Sequence, residues 1–333
     1  MELVPRQSQP VEEATVSIVW TIAALVACPF VIEFCFRIFV ARRIQTVIES
    51  VPPLAMIEPP PRQTGRSLIV AADVATRVFV RTPSPLGVII FCPELDGGAE
   101  SAPLYCQPLI DAGFAVVGVD LASESDQLKP IHWSTEAEIY KIHQVLSHLA
   151  TSPEFAGLPI GIFGVSRGAT VALVSACRSR LITSVLTDSG YSSMGLTRNF
   201  ISRFGRQIVP EWLFEKLPAW HIDKALWMAF GFSERSRGCQ YVHVENECQS
   251  LTQPVQMISG RRDSYVTPNV TASLSKLAKT SQEPWIVAKA KHNKARIQAS
   301  DEYADLTVQH FLRTLVSSHR TGEQLDSRRA SVA

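Results

Sequence analysis

The chain has 333 residues, of which 46% are hydrophobic and 19% charged, and its formal net charge is +1. This is enough apolar material to bury the core of one large domain or two small ones, and too balanced a charge for a general nucleic-acid-binding surface. Seven cysteines without paired spacing or a CxxC argue against a disulfide framework or a zinc site and fit a reducing compartment.

In chain order, the first feature follows a short tail (1–14). Val16 to Ile32, VSIVWTIAALVACPFVI, contains no charged residue, and FCFRIFVA extends the apolar character past Glu33. About 20 apolar residues cross a bilayer, so a transmembrane helix is expected over 15–43, with Pro29 tolerable inside it. Glu2, Glu12 and Glu13 outweigh Arg6 before the run, whereas Arg37, Arg42 and Arg43 follow it. The positive side stays in the cytoplasm, which predicts a single-pass membrane protein whose large C-terminal part faces the cytoplasm. A cleaved signal peptide would need a more basic start. Leu25-Val26-Ala27-Cys28 resembles a lipoprotein cleavage box with Cys28 lipidated, but apolar residues follow it; a non-spanning helix is the remaining alternative. The sequon Asn269-Val270-Thr271 would matter only in the reverse orientation.

A proline-rich linker is expected over 44–66, carrying VPPLAMIEPPPRQTG. Beyond it, short β-rich runs alternate with helical patterns, the signature of a mostly parallel sheet covered by helices. One or two strands fall in Ser67 to Thr82, and buried strands at Gly87 to Cys92, Ala115 to Leu121, Ile160 to Val165 and Ile182 to Thr187. Later strands fall at Val255 to Ser259 and Trp285 to Ala288. Helices are expected near Leu104 to Ala112, Thr135 to Ala150, from Gly168, and at Asp301 to Ser317. The core therefore divides into 67–190 and 252–319, with a disordered tail at 320–333. Between them, 191–251 carries helical patterns and the aromatics Phe200, Phe204, Trp212, Phe214, Trp220, Trp227 and Phe230. Such an insertion is too long for a loop. Its aromatics either form the core of a helical subdomain or, in a cap over the site, line an acyl pocket.

The chemistry centres on Gly164-Val165-Ser166-Arg167-Gly168, where the strand IGIFGV meets a helix. Glycines allow the close backbone approach of a sharp strand-to-helix turn that projects the serine hydroxyl outward, and the helix N-terminus favours negative charge there. An incidental turn with a helix-capping serine is the plainer alternative. A serine hydroxyl needs a general base that is itself oriented by a carboxylate. Asp263, in GRRDSYVTP after PVQMIS, and His292, after PWIVAKA, stand in that order at the ends of late strands, where sites of such sheets lie. Asp188, in TDSGY, is the rival acid. His132, His143, His148, His221, His243, His310 and His319 fit less well by position.

These motifs, with KHNKA and a final helix containing EYADLTVQHFL, make residues 67–317 resemble the α/β-hydrolase superfamily, especially membrane-anchored serine hydrolases with a helical cap. The resemblance implies that Ser166 attacks a carbonyl, His292 shuttles the proton and Asp263 holds the imidazole. Where such proteins often carry His-Gly-x after the first central strand, this chain has Pro93-Glu94-Leu95-Asp96-Gly97-Gly98. The implied oxyanion donors are the backbone N–H groups of Arg167 and Leu95. Glu94 or Asp96 would oppose an oxyanion unless turned away or paired, for example with Arg167. Arg167, Arg261, Arg262, Lys289, Lys291 and Lys294 flank the three positions, as solvated loop charge or as an attraction for an anionic substrate or membrane surface.

The expected activity is cleavage of carboxylic esters or related acyl bonds through an acyl-serine intermediate, with a small-molecule acyl substrate, lipid or anionic ones included, and no metal, organic cofactor or nucleic acid. A serine peptidase, thioesterase or acyltransferase would use the same residues. A non-catalytic scaffold is the alternative from another class.

Overall fold

A computed structural model of the chain describes residues 9–50, 65–71, 74–121, 133–205 and 209–316. The expected C-terminal tail, most of the proline-rich linker and His132 lie outside the described residues.

Among the described residues, a mixed sheet of eight strands organises the larger part: β1 (Arg66–Ala71), β2 (Val74–Phe79), β3 (Val88–Cys92), β4 (Ala115–Val119), β5 (Ile160–Val165), β6 (Ile182–Asp188), β7 (Val255–Gly260) and β8 (Trp285–Val287). Their order across the sheet is β1-β2-β4-β3-β5-β6-β7-β8. β2 runs antiparallel to both of its neighbours, and the other pairs are parallel. The parallel strands β3 (VIIFC), β4 (AVVGV) and β5 (IGIFGV) are buried along their whole length, because helices cover both faces and leave no position for a polar side chain. The edge strand β1 is half-exposed and reads RSLIVA.

Alternation along β3 divides the core in two. Val88, Ile90 and Cys92 enter one cluster with α3 (Glu136–Thr151), α4 (Arg167–Arg178) and α9 (Pro268–Leu277). Ile89 and Phe91 enter the other with α2 (Ala102–Asp111) and α11 (Ser300–Phe311). α3 begins with a capping box in which Thr135 N–H donates to Glu138 Oε2 at 2.7 Å.

The inserted stretch forms α5 (Ser193–Phe204), α6 (Glu211–Phe214), α7 (Ala219–Arg237) and α8 (Val244–Glu247). Among the described residues, two compact units are distinguishable. Those up to Ile48 group with Phe204–Ser236, and Glu49–Arg203 groups with the residues from Arg237 onward. The stretch 191–251 is therefore divided between the units instead of forming one subdomain. Its aromatics do not form a core of their own: Phe230 is buried, but Phe204, Trp212, Trp220 and Trp227 are exposed.

The first unit is built on α1, a continuous helix from Gln9 to Glu49 that is long and apolar enough to cross a membrane. It continues past residue 43, into the segment expected to be linker. The reason lies in Val40, Ala41, Ile44 and Ile48, which are buried at helical spacing, and in Gln45 and Arg42, which meet Ser236 and the ring of Phe232. In the second unit, a one-turn α10 (Ala295–Gln298) and a π-type turn at Leu312–Val316 bracket α11.

Candidate active site

The turn from β5 into α4 carries Ser166 at φ 52° and ψ −114°, a region that L-residues rarely occupy. Two glycines make the turn possible. A Cβ on Gly164 would stand 2.3 Å from the carbonyl oxygen of Gly168, and one on Gly168 would stand 2.1 Å from that of Cys92. The same contact brings the segment after β3 against the start of α4. Ser166 N–H donates to Asp188 O at 2.8 Å, tying the turn to the end of β6. A strained residue held this firmly is the kind of position at which function concentrates.

The hydroxyl of Ser166 lies 2.9 Å from His292 Nε2, and His292 Nδ1 lies 2.7 Å from Asp263 Oδ2. Asp263 Oδ1 accepts the backbone N–H groups of Tyr265 and Val266, each at 2.8 Å. One carboxylate oxygen is thus fixed by the loop after β7 and the other is left for the imidazole. His292 sits in the loop after β8, followed by Asn293 at φ 55°, whose N–H donates to Ser189 Oγ at 3.3 Å. The fold therefore brings together the three residues singled out by the sequence, from positions 97 and 29 residues apart (166, 263 and 292). Such a chain can take a proton from the hydroxyl as it attacks and hold the resulting imidazolium.

The rival acid is engaged elsewhere. Asp188 is fully buried; Ser189 Oγ donates to its Oδ1 at 3.0 Å and Tyr303 OH to its Oδ2 at 3.1 Å. Burial pushes its carboxyl up to about 6. Its backbone supports the turn while its side chain reaches the final helix.

Leu95, in the turn after β3, is half-buried. The acidic neighbour Glu94 does not pair with Arg167. Its carboxyl folds beneath its own turn against Gly97 and accepts Tyr105 OH at 3.1 Å, and burial raises its pKa. Asp96 is exposed. Arg167 is likewise absent from the basic rim: its guanidinium is buried and lies 2.7 Å from Glu138 Oε1. Ser134 Oγ donates to the Arg167 carbonyl at 3.0 Å. Arg261, Arg262, Lys289 and Lys291 are exposed, and Lys294 is half-buried.

A wall of aromatic rings stands beside the imidazole; Phe200 was among the insertion aromatics marked by the sequence, whereas Tyr265, Tyr191 and Trp133 were not. Tyr265 stands 5.1 Å from His292 between ring centroids, with Phe200 at 5.3 Å and Tyr191 at 6.3 Å from Tyr265 in turn. Trp133 packs edge-on to Tyr191. The position of Tyr265, two residues after Asp263 in the same tight loop, is the one local signal that could have marked it. Among the described residues, no group of three or more His, Cys, Asp or Glu side chains is arranged to hold a metal ion.

Solved structures share this architecture. A dienelactone hydrolase from Anabaena variabilis superposes with a TM-score of 0.54 at 15% identity, covering 77% of this chain and 100% of that one. An esterase of Pyrococcus furiosus gives 0.53 at 18% identity over 80% and 98% of the two chains. Est1E from Butyrivibrio proteoclasticus gives 0.51 at 15% identity over 75% and 99%. The chain has the α/β-hydrolase fold. At these identities the likeness extends to the α/β-hydrolase architecture alone. No family model matches the chain. Two Mycobacterium tuberculosis proteins, from strains CDC 1551 and H37Rv, carry a provisional phosphoribosyl transferase name. Each is 29% identical over 135 residues, 39% of this chain. The matched region spans 30% of their length.

Proposed function

We propose that this protein is a serine hydrolase that cleaves carboxylic esters or related acyl bonds, with Ser166 as nucleophile, His292 as general base and then acid, and Asp263 as the group that orients and stabilises the imidazolium. The observation that carries the reading is the continuous hydrogen-bonded line from Ser166 Oγ through His292 to Asp263, set on a strained strand-to-helix turn. Attack of Oγ on the substrate carbonyl passes its proton to His292 Nε2 and forms a tetrahedral oxyanion. His292 then returns the proton to the leaving group, and the acyl-serine remains. Water, activated by the same imidazole, attacks the acyl carbon, and the acid leaves as Ser166 recovers its proton. The backbone N–H groups of Leu95 and Arg167 are the donors assigned to the oxyanion. Their fitness for it is independent of side-chain identity, and the Glu94 carboxyl beside them accepts the Tyr105 hydroxyl. Steady-state hydrolysis of short p-nitrophenyl esters by wild type and Ser166→Ala tests the reading. The variant is expected to lose about 10³-fold or more in kcat with its fold intact, and equal rates would end the proposal.

We further propose that α1 crosses the membrane and leaves the hydrolase unit in the cytoplasm. Its length and apolarity support a span, and Arg37, Arg42 and Arg43 after the apolar run support the orientation. In sealed cells, protease added outside should leave the C-terminal part intact. Its digestion, or glycosylation of Asn269 in a eukaryotic secretory system, would reverse the assignment.

A further inference from the structure

The unit formed by α1 and Phe204–Ser236 exposes apolar side chains in two places. On α1, Trp20, Leu25, Phe30 and Ile32 are 62–72% exposed, as a membrane span requires. More unusual are two tryptophans of the inserted stretch. Trp212 on α6 is 65% exposed and Trp220 on α7 is 52% exposed, an arrangement that water disfavours.

Their height along α1 explains them. α6 lies beside the second half of the apolar run: a largely apolar groove of about 580 Å³ is lined by Leu25, Pro29, Ile32, Glu33 and Phe36 of α1 together with Leu213 of α6. Trp220 lies one level higher, where the charges begin. The Arg37 guanidinium stands 5.6 Å from its ring centroid and the Lys224 ammonium 5.2 Å. At that level Glu33 accepts from Arg37 and meets His221 Nδ1 at 3.0 Å, so the charges closest to the apolar run are paired. From there α7 and α1 run in the same direction, with Gln45 reaching Ser236 near their far ends. Apolar run, then tryptophan, then arginine and lysine is the vertical order of a membrane–water interface, in which indole rings sit at the headgroup level and bases reach past them into water.

We propose that residues 210–220, the α6 turn and the start of α7, are a membrane-docking element. Trp212, Leu213 and Trp220 enter the cytoplasmic interface of a phospholipid bilayer beside the α1 span, and upper acyl-chain segments fill the groove between α1 and α6. The occupant is lipid because the groove is continuous with the span itself and mostly apolar, its one carboxylate, Glu33, being paired with Arg37 and His221, while the exposed Glu211, Glu215 and Lys216 alternate with the apolar side chains as they do in a headgroup-level segment. The inference rests on α1 lying in the bilayer and is independent of the chemistry at Ser166.

Depth-dependent tryptophan quenching tests it. The full chain is reconstituted into phosphatidylcholine vesicles, with or without bromine in the upper acyl chain, as wild type, W212F/W220F and W20F. The emission removed by W212F/W220F should be quenched at least about twofold by bromine, as should that removed by W20F. Quenching confined to the Trp20 contribution would place 210–220 in water and overturn the docking element while keeping the span. Loss of quenching for both contributions would overturn the span and the docking element together, and Ser166-dependent ester hydrolysis, read on the same samples, tells that failure from loss of the hydrolase. Should the double variant not fold, W212F and W220F made singly carry the same comparison.

Discussion

Asp263 gives one carboxylate oxygen to His292 and the other to two backbone N–H groups, so its orientation is fixed before any substrate arrives. Asp188, at the end of the neighbouring strand β6, spends both oxygens on Ser189 and Tyr303. The two aspartates are therefore expected to separate on substitution. Asp263→Asn should lower kcat by about 10³–10⁴-fold, because the amide favours the wrong imidazole tautomer, whereas Asp188→Asn should change it by less than about tenfold. Initial rates on one p-nitrophenyl ester decide the point, and a larger loss in Asp188→Asn would transfer the orienting role.

The buried pair of Arg167 and Glu138 predicts a stability effect instead. Glu138 caps α3 with one oxygen and meets the guanidinium with the other, joining α3 to the start of α4. Removing one partner leaves a buried charge uncompensated, which costs about 3–5 kcal/mol, whereas replacing both by apolar residues costs less. Urea denaturation should find Glu138→Ala markedly destabilised and Glu138→Leu with Arg167→Leu closer to wild type. The opposite ranking would refute the pairing.

Two buried groups give opposite pH dependences. Desolvation lowers His310 from 6.5 to about 4, so the unfolded chain binds its proton more readily. The stabilisation that neutral His310 contributes is full above pH 6.5 and is lost as pH falls towards 4. Desolvation raises Asp188 from 3.8 to about 6, so the folded state holds that proton more tightly, and stability falls as pH rises between those values. In wild type the two slopes oppose each other. In His310→Gln, stability relative to wild type should improve on acidification from pH 6.5 to 4, by on the order of 3 kcal/mol. Urea titrations at intervals across this range measure it, and a pH-independent difference would contradict the buried neutral imidazole.

Exposed Arg261, Arg262, Lys289 and Lys291 flank the Asp263 and His292 loops. An anionic ester should therefore lose kcat/KM with added salt while a neutral one does not. Equal, flat responses would leave these residues as solvated loop charge.

What was legible in the sequence was local. A buried strand, a glycine-bounded serine and a following helix are contiguous, and the loops carrying Asp263 and His292 follow recognisable strands, so topology alone brings the three together. What was not legible depended on distant partners. Nothing near Arg167 marks its side chain as buried, because Glu138 lies on another helix. The Tyr265, Phe200 and Tyr191 wall assembles from three separate segments. The helix α1 was expected to end at residue 43, yet it continues to Glu49 with Ile44 and Ile48 buried. The aromatics of the insertion looked like core material by composition, and only their exposure separates Trp212 and Trp220 from Phe230.

The central claim is that Ser166 is a nucleophile activated in place. Labelling of the folded chain with a fluorophosphonate probe, with the modified peptide located by mass spectrometry, addresses it most directly. The account predicts a covalent adduct on Ser166, absent in Ser166→Ala and strongly slowed in His292→Ala. A folded wild-type chain that takes no label, or labelling that persists in Ser166→Ala, would contradict it.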